Sequence, residues 1–152
     1  MRSVGGKATA WGGSRDGRGG RTGMLRNDDD SCIKFGQCYM TTTYPGVVKA
    51  WHFHKLQTDN FVVITGMFKV ALFDDREDSP THGEVNQFFL GDYNPTLLQI
   101  PPGVYHGWKC ISEREGIVVN VSTETYNYDE PDEFRLPFDT DKIPYDWDIQ
   151  MG

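Results

Sequence analysis

The chain has 152 residues, of which 38% are hydrophobic and 13% aromatic, and its formal net charge is −7. This length and composition predict one folded soluble domain, and no apolar run is long enough to span a bilayer. Residues 1–26 carry six Lys or Arg against one acid, a local charge of +5, so the remainder carries −12. An acidic body argues against nucleic-acid binding, and three cysteines argue against a secreted disulfide framework. We therefore expect a cytoplasmic protein with no nucleic-acid or membrane partner.

The N-terminal segment, residues 1–23, holds eight of the 17 glycines and almost no large apolar side chains. Such a segment buries too little surface to offset its ordering entropy. We expect residues 1–23 to form a disordered Gly/Arg-rich arm that is dispensable for stability, and residues 24–152 to form the folded domain.

The folded domain has the pattern of β-strands throughout. Runs rich in β-branched and aromatic residues alternate with Pro, Gly, Asn and Asp. Thr65-Gly66 between two runs predicts a hairpin turn. Eight short runs without intervening helices predict a sandwich or jelly-roll barrel. The predicted strands cover residues 33–43, 47–53, 61–64, 67–73, 85–90, 97–100, 104–111 and 117–122. The acidic, Pro-containing tail after Tyr126 is expected to wrap the barrel.

Three of the four histidines lie in two motifs within these runs. The first motif spaces His52, His54 and Asp59 between Gly46 and Gly66, and the second ends in His106 after Pro101-Pro102-Gly103. Residues i and i+2 of a strand share a face, so His52 and His54 are predicted to point into one cavity. His106 and Asp59 are expected to lie next to the same cavity. Three imidazoles and a carboxylate suit Fe(II), Mn(II), Ni(II) or Zn(II) as well as acid–base catalysis. The fourth histidine, His82, is interpreted as a solvated loop residue.

Three segments resemble dTDP-4-dehydrorhamnose 3,5-epimerases, the RmlC-like branch of the cupins. They are residues 46–53 (GVVKAWHF), 74–83 (DDREDSPTHG) and 100–108 (IPPGVYHGW), and the resemblance extends over about residues 35–147. It implies an all-β cupin jelly-roll barrel, a homodimer and no metal or other cofactor. It further implies an isomerase of carbohydrate biosynthesis, acting on a nucleotide-linked 4-keto-6-deoxysugar by removing a proton beside the keto group.

The resemblance also assigns roles to residues. His52 corresponds to the catalytic base, Lys49 stands where the family has a substrate-contacting arginine, and His106 lies in the family's pocket. Trp51, Phe53 and Trp108 are candidates for stacking on the nucleotide base. His54 is expected to form a second polar wall of the sugar pocket, with Asp59 as its hydrogen-bond partner.

The sequence departs from the family at the other catalytic positions. Asp59 stands where the family has a lysine, and the family's proton-returning tyrosine would fall near Val118 or Val119. The family's C-terminal aspartate, which orients the histidine, has no counterpart in the sequence. Tyr105, Tyr39 and Tyr44 are candidates for the acid, and we place Tyr105 in the predicted catalytic set.

Two other functions remain open from the sequence. A metal-dependent cupin oxygenase or isomerase would use His52, His54, Asp59 and His106 as ligands. Against it, Asp59 is one methylene shorter than the Glu that usually reaches such an ion. A non-catalytic sugar-binding cupin would keep the pocket without the acid.

Overall fold

The computed structural model describes residues 4–10 and 13–149, and within these ranges all regular structure is β-strand. Among these residues there is accordingly no helix of the length and apolarity that crossing a membrane requires. The strands are β1 (Lys7–Ala10), β2 (Gly13–Asp16), β3 (Gly19–Thr22), β4 (Gln37–Thr43), β5 (Val48–Phe53), β6 (Asp59–Thr65), β7 (Met67–Asp74), β8 (Val85–Gly91), β9 (Thr96–Ile100), β10 (Val104–Cys110), β11 (Gly116–Ser122) and β12 (Phe134–Arg135).

Two five-stranded antiparallel sheets form the body of the domain. The first sheet has the order β1-β9-β6-β11-β4 and the second has the order β12-β5-β10-β7-β8, while β2 and β3 form a separate hairpin. Side chains that alternate along the strands meet between the two sheets. The resulting apolar core contains Phe61 and Val118 from the first sheet and Phe68, Val70 and Leu72 from the second.

Each of the eight predicted runs corresponds to a strand, β4 to β11, although β4 begins at Gln37 rather than at residue 33. The predicted turn at Thr65-Gly66 joins β6 to β7. Gly66 has a φ of 87°, a conformation that glycine adopts without steric penalty. Sequence patterns did not predict β1, β2, β3 or β12, which are short and poor in β-branched residues.

The N-terminal segment differs from the expected disordered arm. β1 pairs with β9, from Lys7 opposite Gln99 to Ala10 opposite Thr96. Val4 is fully buried in the core, and its N–H donates to Asn86 Oδ1 at 2.8 Å. One apolar residue and an available sheet edge therefore order residues 4–10, despite the low apolar content of the whole segment. The β2–β3 hairpin is exposed, which is consistent with the low apolar content of this part of the segment.

The C-terminal tail covers the outer face of the second sheet. Ile143 and Trp147 are buried there against Trp51, Phe73 and Tyr105. Lys69 on β7 fastens the tail, because its Nζ donates to the carbonyl oxygens of Asp146 and Asp148, both at 2.7 Å. This second apolar cluster lies on the side of the sheet opposite to the core.

Candidate active site

The three motif histidines meet at one end of the space between the two sheets. His52 on β5 and His106 on β10 are directly paired across the strands, with ring centroids 5.9 Å apart. His54 follows β5, and its ring centroid lies 5.6 Å from that of His106. The structure thus brings these imidazoles together, as the spacing predicts.

A β-bulge in β5 decides which neighbours join them. Against β10, His52 pairs with His106 and Lys49 pairs with Trp108, so β5 contains one extra residue between the two pairs. Lys49 and His52 therefore share a face although three positions separate them. Lys49 Nζ donates to the Thr42 carbonyl at 2.6 Å. The Trp108 ring stacks on His52 with centroids 5.4 Å apart.

Trp51 and Tyr105 lie on the other face of the sheet, away from the histidines. Each is the immediate chain neighbour of a cavity histidine, and successive strand residues point to opposite faces. Trp51 is fully buried against Trp147, and Tyr105 packs against Phe53 with ring centroids 4.6 Å apart. The structure therefore places Trp51, Phe53 and Tyr105 where they cannot stack on, or protonate, a ligand beside His52.

Asp59 connects His54 and His106. Its Oδ2 lies 3.4 Å from His54 Nε2 and 3.3 Å from His106 Nε2. Its Oδ1 accepts hydrogen bonds from Gln57 Nε2 at 2.7 Å and from Asn120 Nδ2 at 2.6 Å. Asp59 is 3% exposed, so the two amide donors take the place of water at Oδ1.

Of the described residues, His54, Asp59 and His106 form a group with the geometry to hold a metal ion. Their ligand atoms all lie within 4.8 Å of one another. The Nδ1 atoms of His54 and His106 face the carbonyl oxygens of Asp132 and Val104, which leaves both Nε2 atoms available. The shorter Asp59 side chain still reaches both rings, which removes that objection to an ion. His52 is outside this group. The metal site expected from the sequence, with His52 as a fourth ligand, is therefore not the group that the structure forms.

His52 has a carboxylate partner that sequence reasoning missed. Glu133 Oε1 lies 3.3 Å from His52 Nδ1, and the same oxygen accepts two hydrogen bonds from Arg135. Burial alone would raise the pKa of Glu133, but the Arg135 hydrogen bonds and charge outweigh it and lower that pKa. Burial lowers the pKa of His52, and Glu133 opposes this only in part. At neutral pH His52 is therefore a neutral imidazole facing an ionised carboxylate.

Tyr39 supplies a hydroxyl on the opposite wall, from β4 of the first sheet. Its Oη accepts a hydrogen bond from Asn120 Nδ2 at 2.8 Å, and the same amide also donates to Asp59. Burial and then the Asp59 charge raise the pKa of Tyr39 to about 12, so the phenol keeps its proton. Because the Asn120 amide donates to the Tyr39 oxygen, the Tyr39 O–H remains available as a donor.

A family model for the polysaccharide biosynthesis C-terminal domain matches residues 14–134. The chain belongs to this family. It is 40% identical over 136 residues to the spore coat polysaccharide biosynthesis protein SpsL of Bacillus subtilis, covering 90% of each chain. It is 43% identical over 138 residues to the probable low-salt glycan biosynthesis epimerase Agl13 of Haloferax volcanii, covering 90% of this chain and 88% of that protein.

Solved structures confirm the predicted RmlC-like cupin jelly roll. The dTDP sugar isomerase of Desulfovibrio desulfuricans G20 superposes with a TM-score of 0.88 and 33% identity, over 94% of this chain and 90% of that one. The dTDP-4-dehydrorhamnose 3,5-epimerase of Bacillus anthracis superposes with a TM-score of 0.86 over 99% and 90% of the two chains. Its identity of 21% makes this second likeness one of fold alone.

Proposed function

We propose that the protein is an isomerase that epimerises a nucleotide-linked 4-keto-6-deoxysugar beside its keto group. The observation that carries the proposal is the His52–Glu133 pair in the cavity. A carboxylate at Nδ1 fixes the hydrogen there and leaves the Nε2 lone pair as a general base. Agl13 is a probable epimerase of glycan biosynthesis and the Desulfovibrio protein is a dTDP sugar isomerase, which supports an isomerase acting on a nucleotide-linked sugar.

The reaction divides between the two walls of the cavity. His52 Nε2 takes the proton from the carbon beside the carbonyl, and the electron pair of that C–H bond moves to the keto oxygen as an enolate. Lys49, on the His52 face, provides the positive charge near this wall. Tyr39 then donates its O–H proton to the same carbon from the first sheet, which inverts the carbon. The enolate electron pair forms the new C–H bond, and the carbonyl is restored. His52 then releases its proton to solvent, and the Tyr39 phenolate takes a proton from solvent, which completes the cycle.

Trp108, together with Asp59 and the two histidines that it contacts, completes the proposed pocket. Trp108 stacks on His52, and its Nε1 donates to Thr43 Oγ1 at 3.1 Å, which fixes the ring beside the base. His54 and His106 form polar walls held by Asp59. These residues position the sugar, while Trp51 and Tyr105 take no direct part.

Solvent deuterium uptake tests this function. Nucleotide-linked 4-keto-6-deoxysugars are incubated with the protein in D2O, and the products are examined by NMR and mass spectrometry. We expect deuterium at the carbon beside the keto group together with an inverted product. Tight binding of the nucleotide sugar without uptake would contradict the proposal and favour a sugar-binding cupin.

A second candidate function is supported by the geometry of His54, Asp59 and His106. Two imidazoles and one carboxylate form the ligand set of many non-haem iron enzymes. A metal-dependent cupin would show catalysis that is lost on chelation and restored by Fe(II), Mn(II), Ni(II) or Zn(II). Loss of deuterium uptake on chelation would favour this function.

We also propose a homodimer. β4 is an edge strand of the first sheet, and the apolar side chains of Ile33, Phe35, Met40 and Tyr44 are between 62% and 70% exposed along or beside it. An exposed apolar edge is suited to pairing with a second copy. Light scattering is expected to give a mass near 35 kDa, twice the 17.3 kDa of one chain, and a monomer with Met40→Glu.

We propose a cytoplasmic location. Cys32, Cys38 and Cys110 are all free thiols in the structure, which fits a reducing compartment. Expression with a fluorescent tag and cell fractionation tests this directly.

A further inference from the structure

The C-terminal tail contacts the candidate site through two consecutive residues, Asp132 and Glu133. Glu133 reaches His52 Nδ1, and the backbone carbonyl of Asp132 accepts a hydrogen bond from His54 Nδ1. Both acceptors lack hydrogens of their own when Glu133 is ionised, so both contacts require the hydrogen to sit on Nδ1. One short stretch of tail therefore contacts Nδ1 of both rings, while Asp59 Oδ2 faces Nε2 of His54 at 3.4 Å.

The carboxylate of Asp132 holds this stretch in place. Its Oδ1 accepts the N–H of Lys55 at 2.8 Å, and its Oδ2 accepts the N–H groups of Leu56 and Gln57 at 2.9 and 3.0 Å. These three residues form the turn that follows His54 and leads to Asp59. Three consecutive backbone amides can bind an anion, and here the anion is the Asp132 carboxylate of the tail.

The remainder of the tail contact adds register and a second hold on Glu133, because Arg135 donates two hydrogen bonds to Glu133 Oε1. β12 pairs with β5, with Arg135 opposite His52. Trp51 and Leu136 exchange backbone hydrogen bonds at 2.9 and 3.1 Å. The pairing fixes the strand that follows Glu133, whereas the Asp132 carboxylate fixes the chain immediately before it.

We infer that Asp132 is a positioning residue that sets the tautomer of His54 directly and the tautomer of His52 through Glu133. It touches no reacting atom. Its carboxylate ties the tail to the 55–57 turn, and this tie keeps the carbonyl of Asp132 at His54 and the carboxylate of Glu133 at His52. The tautomers of His52 and His54 do not depend on the proposed reaction, whereas the effect of Asp132 on the rate rests on that reaction.

The tautomers are read by two-bond 1H–15N correlation spectra of the 15N-histidine-labelled protein at pH 8, where unperturbed histidines are neutral. We expect His52 and His54 of the wild type to show only the Nδ1–H form. In Asp132→Ala both rings are expected to show a mixture of the two forms, and deuterium uptake to fall by about 10-fold to 100-fold, the scale for misplacing a catalytic group. We expect kcat to fall by a larger factor than KM rises, because His52 acts on the reacting proton whereas His54 only positions the sugar.

Two further variants separate positioning from folding and from charge. Asp132→Asn keeps one oxygen that can accept from Leu56 and Gln57, so we expect it to restore part of the Nδ1–H population and part of the rate. Asp139→Ala removes the same charge from an exposed position of the same tail and is expected to change neither. Wild-type tautomers and rates in Asp132→Ala would overturn the inference. If that variant does not fold, wild-type tautomers in folded Asp132→Asn would overturn it. A wild type that takes up no deuterium but shows the expected tautomers would contradict only the proposed function.

Discussion

His52 Nδ1 lies 3.3 Å from Glu133 Oε1, although 81 residues separate the two in the chain. The contact depends on β12, which runs beside β5 and places Arg135 opposite His52. The half-buried histidine gains an ionised partner that is itself largely shielded from bulk water. This relationship gives the imidazole a defined orientation and a defined free nitrogen, as a base requires.

Replacing Glu133 by Gln tests the value of this carboxylate. The Gln side chain can turn its amide toward Nδ1 and donate to it, which would move the histidine hydrogen to Nε2 and block the base. We expect deuterium uptake to fall by at least about 100-fold, since an uncharged partner stabilises the wrong tautomer. Glu130→Gln, an exposed change in the same tail, is the control. Equal uptake by the two variants would remove Glu133 from the mechanism.

Replacing His52 itself tests the assignment of the base. We expect His52→Asn to lower kcat for deuterium uptake by about 100-fold or more, the usual effect of losing a general base. His82→Asn changes an exposed histidine and should leave kcat unchanged. Steady-state kinetics in D2O measure both, and retained turnover in His52→Asn would contradict the assignment.

Tyr39→Phe separates proton removal from proton return. Without the hydroxyl, His52 can still remove a proton and return a solvent-derived one to the same face. We therefore expect deuterium uptake without inversion, with epimerised product reduced by about 100-fold relative to the wild type. Tyr105→Phe is the matched control because that ring lies on the other side of the sheet. Normal inversion by Tyr39→Phe would exclude Tyr39 as the acid, and loss of inversion in Tyr105→Phe would support the acid predicted from the sequence.

The dependence of the reaction on a metal ion is tested at the group formed by His54, Asp59 and His106. RmlC-type epimerases work without a cofactor, so we expect deuterium uptake to survive exhaustive chelation. Elemental analysis of the purified protein and of His54→Ala accompanies the assay. Near-stoichiometric Fe, Mn, Ni or Zn that is lost in His54→Ala, together with inactivation by chelation, would contradict this and establish a metalloenzyme.

Local spacing was sufficient to predict the eight strands β4 to β11 and the histidine cluster. The alternation of side chains brings His52 and His54 to one cavity, and the second motif brings His106 there. Strand alternation also explains why Trp51 and Tyr105, each adjacent to a cavity histidine, point away from it. Trp51 is predicted to stack on the nucleotide base because it is aromatic, and Tyr105 is predicted to be the acid because the family's tyrosine has no counterpart, so neither prediction rests on spacing.

Other features of the site depend on relationships that no local pattern contains. Lys49 joins the His52 face only because of the β5 bulge, which shifts the register against β10 by one residue. Glu133 belongs to a tail with no strand signal, and the pairing of β12 with β5 together with the hydrogen bonds of Asp132 to the 55–57 turn brings it to His52. Tyr39 reaches the cavity because β4 pairs with β11, which places it opposite Asn120.

The N-terminal segment provides a stability prediction that differs from the one based on composition. Val4 is fully buried, and its carbonyl accepts a hydrogen bond from Arg76 Nη2 at 3.1 Å. We expect Val4→Ala to reduce the free energy of unfolding by about 2 kcal/mol, from lost apolar burial and the cavity left behind. Arg21→Ala, on the exposed β3 strand, is expected to stay within about 0.5 kcal/mol of the wild type. Urea unfolding measures both, and equal stability of the two variants would favour a dispensable arm.

Asp74 gives a prediction about acid stability. Its side chain is 0% exposed and accepts hydrogen bonds from Arg76 Nε at 2.8 Å, Ser79 Oγ at 2.6 Å and Thr81 Oγ1 at 2.6 Å. Burial alone would raise the pKa of Asp74, but these hydrogen bonds hold the pKa far below its usual range. The unfolded chain binds the proton near pH 3.9, so this stabilisation is complete above that pH and is lost as the pH falls toward the lower folded-state pKa.

We therefore expect Asp74→Asn to lower the free energy of unfolding by about 3 kcal/mol at pH 7, because Arg76 loses its buried partner. The difference from the wild type should shrink below about pH 4, where the wild type begins to lose the same stabilisation. Urea unfolding at pH 7 and pH 3 measures both effects. Asp92→Asn breaks the more exposed pair with Arg114 and should change stability by less than about 1 kcal/mol. A difference between Asp74→Asn and wild type that is independent of pH would show that packing, and not the ionised carboxylate, accounts for the role of Asp74 in this turn.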